Sequence, residues 1–183
     1  MVIGEAAPAL SAWQNFYVIV GSSAGALTGL QFVVIALIAE ARATGSMQEI
    51  RAFGSPTVVH FCAALLISGI AAAPWNSTQT LSIVFGLCGI LGVLYSLSVV
   101  RHARRQTGYH PDAEDWTWYV ALPLAAYVSL LIAATLLNSH PAGILFWIAG
   151  TTLLLLFLGI HNAWDTVTYI TVKHLVKKDD AAR

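Results

Sequence analysis

Two histidines and two acidic residues are the side chains of this chain whose types and predicted depths fit a chemical role. His60 lies about one turn into a predicted membrane span, and His161 lies near the inner end of another, so both are expected in the inner part of the bilayer. Asp165 follows His161 by four residues and shares its helical face, where it can orient the imidazole. Glu40 is a second acid at a similar predicted depth.

These residues predict a metal or haem site in which His60 and His161 are ligands, with Asp165 or Glu40 as a further ligand or as a hydrogen-bond partner. Two histidines without a cysteine or a spaced pair of carboxylates form an incomplete metal-binding pattern. The sequence therefore favours a second interpretation, in which the histidines are unrelated and each is bonded to a carbonyl or a lipid headgroup. On that interpretation we expect no cofactor.

The composition of the chain is that of a membrane protein. Its residues are 57% apolar and only 10% charged, with a mean hydropathy of +0.72, whereas about 25% of residues are charged in a soluble domain. Residues 52–100 and 116–164 contain no Lys, Arg, Asp or Glu, and each stretch is too long for one span and suits two. The sequence therefore predicts an all-α, polytopic membrane helix bundle of five transmembrane helices, one long N-terminal helix followed by two helical hairpins.

The chain is predicted to form a single transmembrane domain. The five spans cover residues 13–40, 56–74, 80–100, 116–137 and 142–164, and residues 165–183 form a cytoplasmic helical extension with a basic tail. Ser55-Pro56 indicates a helix start, because Ser is a favourable cap and Pro fits the first helical position. Pro123 should kink its helix and free a carbonyl that a neighbour must satisfy.

The basic residues predict the orientation. Every Lys and Arg falls on one side of the five-span topology, so the positive-inside rule places the N-terminus outside and the C-terminus in the cytoplasm. Short loops with this asymmetry suggest a multi-pass protein of a prokaryotic inner membrane. Arg101, Arg104 and Arg105 are first of all part of this topology signal, and they are also a candidate site for anionic lipid.

A series of glycines marks the first span. Gly21, Gly25 and Gly29 lie on one helix face, and Gly is otherwise unfavourable in a helix interior, so the series favours the close approach of a second backbone. Gln31 adds a polar side chain that needs a partner. One interpretation is a homo-oligomeric seam or a pore-lining helix, and the other is packing within one protomer against the glycine-rich face of the third helix or the second hairpin.

Three functions remain open on the sequence. No Asp, Glu, Lys or Arg lies deep in a span, which argues against ion-coupled transporters and proton pumps. We found no catalytic or phosphate-binding motif, so we expect no catalytic residue and no nucleic-acid partner. The first is a homo-oligomeric assembly joined through the first helix, as a channel for a small ion or neutral solute. The second is a membrane haem or metal protein that uses His60 and His161. The third is an accessory subunit of a larger membrane complex.

Overall fold

The described residues fold into five helices that cross the bundle one after another. The computed structural model describes residues 6–41, 47–104 and 113–181, with side chains described for residues 10–36, 56–101, 104 and 113–168. The described helices are α1 (Ala6–Ala41), α2 (Met47–Ala72), α3 (Thr78–Ala103), α4 (Ala113–Leu136) and α5 (Pro141–Ala181). One long helix and two hairpins are thus present, and the predicted helical membrane bundle is confirmed.

The helices are long enough to span a bilayer. In the described part of the chain, four apolar segments meet the length and hydropathy of a membrane span, and these are Leu10–Ala36, Thr78–Arg101, Ala113–Leu136 and Pro141–Thr168. The apolar segment of α2, Pro56–Ala72, is shorter. The whole of α2 has 26 residues, and at ~1.5 Å per residue it exceeds the ~30 Å of hydrocarbon.

The second helix begins earlier than its sequence predicts. α2 starts at Met47, so Pro56 lies inside the helix, and the prediction of a helix start at Ser55-Pro56 is wrong. Proline removes one N–H donor and crowds the carbonyl four residues earlier. Ending the helix at this depth would leave more backbone groups unpaired in an apolar environment than the single bond that proline removes.

The distortion predicted at Pro123 takes the form of a widened helical turn. Within α4, residues Thr117–Ala121 form a π-helical turn directly before Leu122 and Pro123. The N–H of Leu122 donates to the carbonyl of Thr117, five residues earlier. A π-helical turn is one of the ways in which a helix absorbs a proline without breaking.

Pairs of contacting residues show that consecutive helices run antiparallel. Between α3 and α4, Gln79 meets Asn138 near one end, whereas Gly92 meets Tyr127 further into both helices. The corresponding pairs are Gly21 with Ser68 and Gly25 with Leu65 for α1 and α2, and Ser129 with Thr151 and Tyr119 with Asp165 for α4 and α5. With five alternating helices, α1 begins at one end of the bundle and α5 finishes at the other. Which of these ends faces the cytoplasm stays a prediction from the basic residues.

The last helix occupies the centre of the bundle. α5 packs against α1, α2 and α4, and 56% of the apolar window of its span is buried, compared with 17% for α3. α3 packs mainly on α4 and lies at the periphery. Side chains that face α5 are therefore the ones that the fold removes most completely from lipid.

Candidate functional site: a buried polar row

Six residues each carry at least one buried polar side-chain atom that finds no hydrogen-bond partner among the described residues. The atoms are Tyr17 Oη, Thr57 Oγ1, His60 Nε2, Ser68 Oγ, His161 Nδ1, and both Nδ2 and Oδ1 of Asn162. A buried polar group left without a partner costs about 1–3 kcal/mol. A bound molecule is one way to supply such missing hydrogen bonds.

Three of these residues lie on the buried face of α2. Thr57, His60 and Ser68 are exposed by 0%, 1% and 1%, and their helical spacing keeps them on one side of the helix. From Thr57 to Ser68 the helix rises by ~16 Å, about half of the ~30 Å hydrocarbon core. These three residues, with Tyr17 of α1 and Asn162 of α5, are called the polar row below.

Thr57 differs from three other threonines of the bundle. The hydroxyls of Thr28, Thr152 and Thr166 each donate to the carbonyl four residues earlier, at 2.7 to 2.8 Å. This bond is the usual way in which a helical threonine satisfies its own hydroxyl. Thr57 makes no such bond to any described residue, so its hydroxyl is available to a bound molecule.

Asn162 joins the row from α5. A methyl group added at Gly159 would collide with the ring of Phe61, so α2 and α5 touch at this point. Because the two helices are antiparallel, Thr57, four residues before Phe61, and Asn162, three residues after Gly159, lie within ~2 Å of the same height. Both side chains are 0% exposed. Neither bonds to the other within the described residues, and a small molecule that bridges them would satisfy both.

His60 is held by a hydrogen bond that leaves one ring nitrogen unused. Its Nδ1 lies 3.1 Å from Tyr127 Oη, and the ring of Tyr95 on α3 stands edge-on at a centroid distance of 6.4 Å. In a neutral imidazole one nitrogen donates and the other accepts. Nε2 is therefore a donor or an acceptor according to which group of the His60–Tyr127 pair donates.

Tyr127 reaches His60 because α3 carries no side chain at Gly92. A methyl group at Gly92 would overlap the ring of Tyr127, and one at Gly89 would come within 3.0 Å of the backbone of Leu131. The glycines of α3 therefore bring α3 against α4, and this packing fixes Tyr127 beside the row.

The second predicted histidine contacts α4. The ring of His161 stacks on Trp118 with centroids 3.6 Å apart and planes 8° from parallel, and Tyr119 Oη donates to Asp165 Oδ2 at 2.8 Å. Since Gly159 faces α2, His161, two residues later, is turned about 200° away from that helix. His161 and Asp165 of α5 thus both contact α4. None of their described contacts reaches His60.

The predicted metal site has no further ligand among the described side chains. Glu40 lies outside the residues whose side chains are described. Over the described ranges, no group of three or more His, Cys, Asp or Glu residues is placed to hold a metal ion. A metal bound by His60 and His161 stays a prediction, and Nε2 is the atom of His60 that is available for it.

The three glycines of the series on α1 differ in what lies next to them. An added Cβ at Gly21 would lie 3.0 Å from Ser68 Cβ, and one at Gly25 would lie 3.9 Å from Leu65 Cδ1, whereas none of the described atoms lies within 4 Å of such a Cβ at Gly29. The first two glycines therefore pack α1 against α2 within one protomer, rather than against the glycine-rich face of α3. Gln31, two residues after Gly29 and so about half a turn around the helix, is buried at 4% exposure.

Sequence reasoning does not single out Thr57, Tyr127 or Asn162. Each is an uncharged side chain inside an apolar stretch, and a single hydroxyl or amide there is equally compatible with contact to a headgroup or to its own backbone. The one available signal was that an amide such as Asn162 in a charge-free segment needs a partner.

Comparisons of the chain with protein-family models, with curated proteins and with solved structures give no match. The fold and the site define a class, which is a multi-pass helical membrane protein with an uncharged polar row buried among its helices.

Proposed function

We propose that the protein is a membrane channel for a small neutral polar solute, which passes along the polar row of each protomer. The observation that supports this most directly is the set of unpaired atoms on Thr57, His60 and Asn162, three side chains exposed by 1% or less. Hydroxyl, imidazole and amide groups replace the hydrogen bonds that a neutral solute loses when it leaves water. Ser68 and Tyr17 extend the same kind of contact along the bundle.

The chemistry of the row favours a neutral solute over an ion. Residues 52–100 and 116–164 contain no Lys, Arg, Asp or Glu. Asp165, the next residue of α5, is exposed and accepts a hydrogen bond from Tyr119 of α4. Ion channels use rings of backbone carbonyls or charged side chains to replace the hydration shell of the ion. The side chains of the row provide neither.

The experiment is solute flux into proteoliposomes, followed by light scattering after an osmotic step with glycerol or urea. Vesicles that contain the protein should equilibrate faster than protein-free vesicles, and Thr57→Val should slow this flux by about tenfold if one hydrogen bond of ~1.4 kcal/mol to the passing solute is lost. Thr152→Val is the matched control, because that buried hydroxyl is bonded to the carbonyl of Ile148. Equal rates with and without protein, for both solutes, contradict the proposal.

Self-association through α1 is the second part of this proposal. Gly29 borders open space, and Ser22 and Ala26 are exposed on the same helix, so small side chains there permit a second protomer to approach closely. We expect cross-linking in mild detergent to give a homo-oligomer that Gly29→Leu disrupts. Gly143→Leu is the control, since that exposed glycine of α5 also borders open space. A wild-type protein that stays monomeric excludes this seam.

A haem or metal protein is the second candidate function, favoured by one observation. A histidine that ligates a metal normally has its other ring nitrogen in a hydrogen bond, which fixes the orientation of the ring. His60 has this arrangement, with Nδ1 bonded to Tyr127 and Nε2 buried and unpaired within the described residues. Visible absorbance and elemental analysis of the purified protein separate this candidate from the channel.

The partners of the protein are also proposals. Arg101 and Arg104 are exposed near the end of α3, where we propose that they contact anionic lipid headgroups; Arg105 lies outside the described residues. An accessory subunit of a larger complex, in a prokaryotic inner membrane, would show neither self-association nor solute flux when purified alone.

A further inference from the structure

We infer that the solute is a small primary amide, with urea as the simplest member of the class. This inference rests on the proposed function and follows from Asn162. Both polar atoms of its amide, Nδ2 and Oδ1, are buried without a partner among the described residues. Asn162 therefore presents a donor and an acceptor side by side in one plane.

The edge of an amide group that carries its oxygen and one N–H is complementary to the same edge of a second amide. A primary amide presents a carbonyl and an N–H in the opposite order, so it pairs with Asn162 through two parallel and nearly linear hydrogen bonds. One hydroxyl oxygen cannot make two linear bonds to atoms as close together as Nδ2 and Oδ1, because both bonds would be strongly bent. Glycerol and water therefore satisfy this side chain less well than an amide does.

Two further residues of the polar row suit the rest of an amide. Thr57, on α2, lies within ~2 Å of the height of Asn162 by helix rise, and its hydroxyl accepts from one N–H or donates to the second lone pair of a carbonyl. His60, one turn further along α2, adds a second group of either polarity. A carboxylic acid presents the same edge as an amide only when it is protonated, and at neutral pH it carries a negative charge that no Lys or Arg of the row balances.

The experiment compares urea, acetamide and glycerol at equal osmotic gradients in proteoliposomes, each corrected for protein-free vesicles. We expect the protein to favour both amides over glycerol by about tenfold, which corresponds to one additional hydrogen bond. Asn162→Ser should lower amide flux more than glycerol flux and so remove this preference, because serine keeps a polar group and loses the amide edge. Asn162→Gln restores the edge and should recover part of the preference.

The possible outcomes distinguish failure of the amide inference from failure of the channel proposal. Glycerol flux equal to or above amide flux in the wild-type protein overturns the inference and leaves the channel standing, as does an amide preference that survives in Asn162→Ser. Protein-dependent flux of none of the three solutes overturns the channel as well. The wild-type comparison alone decides the inference if the Asn162→Ser variant does not elute as a folded species in detergent.

Discussion

Gly92→Ala should destabilise the bundle, although alanine is the better helix former by about 1 kcal/mol. The added methyl group overlaps the ring of Tyr127, so α3 must move away from α4 or Tyr127 must leave its place beside His60. Overpacking of this kind costs about 1–3 kcal/mol. We expect a lower free energy of unfolding in detergent, and also reduced solute flux where Tyr127 is the group that moves, because its hydrogen bond to His60 is then lost.

The same substitution two turns away on α3 serves as the control. A Cβ at Gly86 would lie 3.8 Å from Ala134 Cβ, which is ordinary van der Waals contact. Gly86→Ala should therefore be neutral or stabilising, by up to the difference in helix propensity of about 1 kcal/mol. Equal effects at both positions would show that the close contact of Gly92 with Tyr127 does not set the spacing of α3 and α4.

Asn162→Leu should raise stability and abolish flux together. Leucine has a similar size to asparagine and removes two buried atoms that have no partner in the described part of the protein. Relief of unsatisfied polar groups is worth about 1–3 kcal/mol, to be measured as a higher free energy of unfolding in detergent. Flux falls because an apolar side chain then lies across from Thr57, at the height where the solute must form its hydrogen bonds.

A loss of stability in Asn162→Leu would give the opposite conclusion. It would mean that the amide is part of the packing of the protein and that its partners lie beyond the described residues. Thr152→Val provides the comparison, since removing a hydroxyl that is already bonded to a carbonyl should change stability little and leave flux intact.

The helices were predictable from the sequence because lipid and water differ so strongly. A stretch of forty-nine residues without a Lys, Arg, Asp or Glu admits two spans and a turn, and α3, α4 and the start of α5 at Pro141 follow that pattern. The start of α2 did not follow the pattern. Pro56 is favourable as the first residue of a helix, but it is also tolerated inside one, because ending the helix within the apolar region would leave backbone groups unpaired.

The partners of each helix were not predictable in the same way. In a membrane the outer surface of the bundle is as apolar as its core, so hydrophobic periodicity does not tell which face of a span is buried. Gly21 signalled a close contact, yet nothing in the sequence named Ser68 of α2 as the residue it meets. His60 was found from its residue type, whereas the positions of Thr57 and Asn162 opposite each other depend on tertiary packing.

The central position of α5 has a consequence for biosynthesis. The helices that surround it leave the ribosome first, so α1 to α4 reach the bilayer before the segment that packs against α2 has been translated. Until α5 inserts, the face of α2 on which Phe61 meets Gly159 is open to lipid. Nascent chains that stall before Pro141 should therefore be recognised by membrane quality-control proteases, and the bundle should become protease-resistant only once its final helix arrives.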